Sequence, residues 1–265
     1  MMDWNDAYAN AAHIPDADGF RARWPQAAEA FRDEAEWVKV AYGSAPRETM
    51  DVFRPKGRPK GVLVFIHGGY WKDTDPSIWS HLARGAVTLG WLVAMPGYTL
   101  APQARISEIT AQIARAVRRA AGLAEGPVRL AGHSAGGHLA LRMVCADSYL
   151  PTATLDRIGG VTSISGVHDL RPLMWTDMNE ILQLDEAEAV AESPALQRPA
   201  RDIPVTLWVG ADERPAFVLQ SRQQAAMWGA LGARMNLEVE PGRHHFDVID
   251  GLCDPDSALL AAVLK

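Results

Sequence analysis

The chain reads as an α/β fold built on a mostly parallel sheet, and three observations carry that reading. The run Val62-Leu63-Val64-Phe65-Ile66 is apolar at every position and lacks the alternation of a half-exposed strand. Strands buried on both faces by covering helices have this pattern. Ile203–Gly210 and Trp91–Met95 repeat it. Between such runs lie segments with apolar residues at helical spacing, such as 107–121. Strands and helices alternating at this pitch predict a sheet covered by helices on both faces.

The elements follow in order. Residues 3–32 carry a helical pattern with Tyr8, Phe20, Trp24 and Phe31. Glu36–Tyr42 and Glu48–Phe53 alternate, which predicts two half-exposed strands and an antiparallel start. Arg54–Lys60 is a basic, solvated turn. Gly61–Ile66 is the first fully buried strand, and Trp91–Met95, ended by Pro96-Gly97, is the next. Val128–Ala131 leads through a glycine-rich turn into a helix over His138–Val144, and Gly159–Ser165 is a further strand. Residues 171–200, with Trp175, Met178, Ile181 and Leu182, read as a short cap inserted between strands. Leu237–Val239 is the last strand, followed by a loop over 241–247. There is no internal repeat, and 265 residues suffice for one α/β domain with a large core.

The glycine-rich turn is Gly132-His133-Ser134-Ala135-Gly136. It fits Gly-x-Ser-x-Gly, a strand-to-helix elbow that lifts a strained serine above the sheet as a nucleophile. The flanking glycines are a steric requirement, because a side chain there would meet the neighbouring backbone. Upstream, the buried strand runs into His67-Gly68-Gly69-Tyr70-Trp71. Lipases and esterases of the α/β-hydrolase type place half of their oxyanion hole at such a His-Gly-Gly. The donors expected are the backbone N–H groups of Gly68, Gly69 and Tyr70, with that of Ala135 after the nucleophile. One such donor contributes about 3–4 kcal/mol to acyl transfer.

The remaining partners belong near the C-terminus, in the chain order Ser, acid, His. His244 and His245 compete for the base, and Asp212 and Glu213, just past the strand 203–210, compete for the carboxylate that orients it. Insertions in this fold roof a pocket beyond the carboxyl ends of the strands. Residues 3–32 and 171–200 are therefore expected over the catalytic face, with Trp71 and Trp175 as candidate pocket residues.

Composition excludes other classes. A net charge of −6 gives no basic patch for nucleic acid. Cys145 and Cys253 read as buried free thiols. No apolar stretch approaches the roughly 18 residues of a membrane span, and residues 1–6 carry no secretory signal pattern, so cytoplasm is the expected location. His67, His133 and His138 flank the motifs without forming a ligand set, so neither metal nor organic cofactor is expected.

Several blocks extend the match: His67–Lys72, Gly132–Ala140, Ser165–Leu173, Pro215–Ser221 and His245–Val248. In this order they resemble the arylformamidase (kynurenine formamidase) branch of the α/β-hydrolase esterase/lipase family, from about residue 60 to 250. The resemblance implies the α/β-hydrolase fold, with a mostly parallel eight-stranded sheet and a small cap. It implies Ser134 as nucleophile, His245 ahead of His244 as base, and Glu213 ahead of Asp212 as acid. The substrate it implies is a small molecule, an N-formyl aryl amide such as N-formylkynurenine. A broad short-acyl carboxylesterase, or a hydrolase fold that only binds, is the alternative. His168, where relatives often have tyrosine, and Ala216, where they often have an acid, depart from the pattern and are expected at the pocket.

Overall fold

The computed structural model describes residues 2–265. Its strands are β1 (Trp37–Ala41), β2 (Thr49–Phe53), β3 (Val62–Ile66), β4 (Leu92–Pro96), β5 (Val128–His133), β6 (Ile158–Ile164), β7 (Val205–Gly210) and β8 (Met235–Glu240). They form one sheet in the order β1-β2-β4-β3-β5-β6-β7-β8. β1 pairs antiparallel with β2 and β2 with β4, while every later pairing is parallel. The fully apolar runs become β3 and β4, buried at every residue, at the centre of the order. β8 closes the far edge and shows its outer face to solvent, which is why its residues alternate.

The helices are α1 (Trp4–Ala7), α2 (Ala17–Glu34), α3 (Arg84–Thr88), α4 (Ile106–Ala121), α5 (Ala135–Arg142), α6 (Thr152–Leu155), α7 (Asn179–Leu182), α8 (Glu186–Ala191), α9 (Pro215–Ala230) and α10 (Ala258–Leu264). Two apolar clusters cover the two faces of the sheet. Val62, Val64 and Ile66 point into one, with Ile109 and Ile113 of α4 and Leu139 of α5. Leu63 and Phe65 point into the other, with Phe31 of α2 and Leu260 of α10. This is the period-two alternation of a strand, with apolar residues on both sides.

The order of the strands fixes where a ligand can sit. After β3 the chain crosses to β4 on one side, then returns past β3 to β5 on the other. Loops leaving β3 and β5 therefore diverge at their carboxyl ends, and the gap between them is where open α/β sheets bind ligands. The register aligns those ends: Ile66 pairs with Gly132, His133 with Ile164, Ile164 with Trp208, and Gly210 with Glu240. So His67-Gly68, Ser134, Ser165, the 211–213 turn and the 241–245 loop all emerge along one edge.

The segment between β6 and β7 is docked through the acids of α8 and the turn after it. Glu188 accepts from Arg105 Nε at 2.9 Å and from Ser107 Oγ at 2.7 Å. Glu192 accepts from Thr110 Oγ1 at 2.6 Å and pairs with buried Arg142 at 3.1 Å. No helix among the described residues is long and apolar enough to cross a membrane.

Candidate active site

Ser134 ends β5 and starts α5 with φ 56° and ψ −119°, a region L-residues rarely adopt. The glycines around it are required by contact. A Cβ on Gly132 would lie 2.1 Å from the carbonyl oxygen of Gly136, and one on Gly136 would lie 1.9 Å from that of Ile66. The loop after β3 crosses directly above: a Cβ on Gly68 would be 3.1 Å from Ser134 Cβ. Gly69 follows with φ +106°. Among the described residues, the backbone N–H groups of Gly69 and Tyr70 find no acceptor in the chain. That of Ala135 opens helix α5, where the first N–H groups have no partner within the helix.

His245 is buried beside Ser134, and both line one cavity of about 450 Å³. The ring lies between two others, with centroids 4.5 Å from His133 and 4.5 Å from Phe217. Its Nδ1 is 2.6 Å from Glu213 Oε2. A carboxylate only accepts, so the proton sits on Nδ1 and Nε2 is left as a base. The other carboxylate oxygen, Glu213 Oε1, accepts from the Gly210 N–H at 2.9 Å and from the Ser165 hydroxyl. Glu213 is thus buried with both oxygens satisfied, as a buried charge requires.

The competing candidates sit elsewhere. Asp212 is exposed one residue earlier in the same turn. His244 belongs to its own loop: its Nδ1 lies 3.1 Å from Asp247 and its ring stands edge-on to Phe20 at 5.1 Å.

Of the four side chains expected at the pocket, none lines the cavity of Ser134. Trp71 has φ 55°, and that left-handed turn swings its indole into the core, edge-on to His138 at 5.0 Å. His168 is fully buried beneath the sheet end, where its backbone N–H donates to Gln220 Oε1 at 2.8 Å. Trp175 is 69 % exposed on the outer surface of the insertion. Ala216, in the first turn of α9, borders a separate cavity of about 380 Å³ against α1.

The N-terminal segment supplies much of the wall instead. Tyr8, the short turn Ala9–Ala12 and Trp24 line the cavity. Tyr70 fastens this segment, its hydroxyl donating to the carbonyl of Tyr8 at 2.7 Å. On the far side Trp24, Trp79 and Phe246 form an aromatic face, with Trp24 centroids 4.6 Å from Trp79 and 4.9 Å from Phe246. Trp79, Ser165, His133 and Phe217 carried no role in the sequence reading. Ser165 alone had a local signal, a hydroxyl directly after a buried strand that neighbours the strand bearing the acid.

His133, between Gly132 and Ser134 in the elbow, holds the His245 loop in place. Its Nε2–H donates to the carbonyl oxygen of His245 at 2.9 Å. Burial holds its proton affinity well below the usual histidine value, so the ring is neutral against the base. Burial also pushes His67 down to about 4 and His138 and His168 to about 3. Folding therefore depresses these bases from 6.5, and their stability contribution is full above that pH. It is lost as pH falls toward their folded values, at roughly 2 kcal/mol for each by about pH 5. Thermal melts should show Tm dropping steeply from pH 6.5 to 5, and His168→Gln should flatten that slope.

The comparisons with known proteins join this geometry. A family model described as the alpha/beta hydrolase fold matches residues 63–246, a range that includes Ser134, Glu213 and His245. The chain belongs to that family. This hydrolase is 30% identical to the kynurenine formamidase of Danio rerio over 242 residues, covering 86% of this chain and 80% of that one. It is 28% identical to esterase LipC of Mycobacterium tuberculosis, covering 80% and 60% respectively. The crystal structure of a candidate thioesterase from Silicibacter sp. TM1040 superposes with a TM-score of 0.95 at 46% identity, over 100% of both chains.

Proposed function

We propose that this hydrolase cleaves a small amide or ester through an acyl-enzyme on Ser134, and that its substrate is an N-formyl aryl amide such as N-formylkynurenine. The observation that carries the mechanism is the 2.6 Å contact of His245 Nδ1 with Glu213, beside Ser134 in one cavity. His245 Nε2 takes the proton as Ser134 Oγ attacks the carbonyl carbon. The oxyanion that forms is held by N–H groups of Gly68, Gly69, Tyr70 and Ala135. His245 then returns the proton to the leaving nitrogen or oxygen, the acyl group stays on Ser134, and water activated by the same ring releases the acid.

The resemblance to kynurenine formamidases over most of the chain supports the formamide. The aromatic face of Trp24, Trp79 and Phe246 suits a flat aryl leaving group, for which offset or edge contacts contribute about 0.5–1.5 kcal/mol beyond burial. The likeness to an esterase favours the second reading, a short-acyl carboxylesterase with the same machinery.

The test is turnover of N-formylkynurenine beside p-nitrophenyl acetate, p-nitrophenyl butyrate and an acetyl thioester. We expect kcat/KM for the formamide to exceed the others. Negligible formamide turnover beside rapid ester cleavage would assign the carboxylesterase, and a preference for the thioester would make sulfur the leaving atom.

A further inference from the structure

We propose that Lys72, with Arg21 across the mouth, binds a free carboxylate on the leaving group, so that the cavity selects aromatic amides or esters bearing one. This rests on the serine-hydrolase reading of the same cavity. Both cations line it. Lys72 is half-buried and forms no ion pair among the described residues. Its backbone is fixed: the Lys72 N–H donates to the Gly69 carbonyl at 3.1 Å, in the turn that also carries the oxyanion donors. Arg21 pairs only with Asp18, at 3.5 Å, and both groups are largely exposed. Such a pair holds an arginine weakly. The guanidinium carbon lies 5.9 Å from the Phe246 ring centre, which sets a cation beside the aromatic face.

The charges of the lining agree. Asp73 is the only acid among the lining residues, so Lys72 and Arg21 outnumber the carboxylates of the lining by one. The chain as a whole carries −6. An anionic substrate therefore approaches against the long-range field, and only a local cation at the mouth can favour it. Ser134, Trp24 and Phe246 line the same cavity as these cations, so a charged substituent on the leaving group shares that space with them.

Two matched pairs test this: phenyl acetate with 4-acetoxyphenylacetate, and formanilide with 4-formamidophenylacetate. Within a pair the members differ by one para carboxymethyl group. We expect the charged member to be preferred at least tenfold in kcat/KM, chiefly through KM. Lys72→Met should bring that ratio near unity, and Lys72→Arg should keep most of it. Because the ratio is internal to each preparation, partial misfolding of a variant cancels. Calorimetric titration of Ser134→Ala with the ester pair reads the same preference without turnover. A preference in binding with no turnover of any substrate by the wild-type protein would keep the carboxylate site and remove the serine-hydrolase reading. Equal binding and equal kcat/KM within both pairs, or a ratio unmoved by Lys72→Met, would overturn the proposal.

Discussion

Ser134→Ala is expected to lower kcat by about 10⁶-fold for every substrate the wild-type protein turns over, with KM little changed. Losses of this size follow when a nucleophile working as one unit with its base is removed. What survives is the rate supplied by the oxyanion donors and by binding, which place water and substrate together without a covalent step. The strained backbone at position 134 (φ 56°) depends on Gly132, Gly136 and the packing of β5, none of which the substitution touches. The variant should therefore fold like the parent. Steady-state kinetics with matched thermal melts check both halves of this expectation.

Glu213→Gln is expected to lower kcat by about 10⁴-fold, the cost of holding the base in the wrong tautomer. The direction follows from the donors around the acid. Glu213 Oε1 receives the Gly210 N–H at 2.9 Å, and a backbone N–H cannot reverse its role. A glutamine must turn its single carbonyl oxygen to that donor, which aims its NH₂ at His245 Nδ1. Nδ1 then accepts, the ring proton moves to Nε2, and the ring can no longer take a proton from Ser134. Asp212→Asn, one residue away and exposed, should leave kcat within about twofold, as substitutions of exposed groups usually do. Kinetics of the two variants side by side distinguish the roles of the adjacent carboxylates.

The pair also shows what the sequence could and could not say. Every strand of the sheet was legible, but β2, expected half-exposed from its alternation, is buried at four of its five residues, because its polar Asp51 is buried in pairs with Arg32 and Lys39. The elbow was legible from its motif: Gly132 is demanded by the carbonyl of Gly136 and Gly136 by that of Ile66 on the neighbouring strand. The acid was not. Asp212 and Glu213 differ by one position in a turn where Ala211 N–H bonds to Glu240 and Asp212 N–H to Arg243. Those bonds from the next strand and its loop decide which side chain turns inward, and no pattern around 211–214 encodes them.

The pocket was least legible. Tyr70 and Trp71 both have positive φ without being glycine, so nothing announces that the indole turns into the core and that Tyr70 reaches the N-terminal segment. The segment with Tyr8 and Trp24 was expected over this face, but its contacts with residues as distant as Trp79 and Phe246 are set by the assembled sheet. Trp175 illustrates the reverse case: an aromatic side chain in an insertion over the site is left facing solvent.

The central claim is a covalent acyl step on Ser134, and the most direct measurement is labelling by a fluorophosphonate, followed by mass spectrometry of the intact protein and its peptides. One adduct per chain, on the peptide containing Ser134 and lost in Ser134→Ala, is the result expected. An unlabelled chain that still hydrolyses its substrate, or an adduct on another residue, would contradict it.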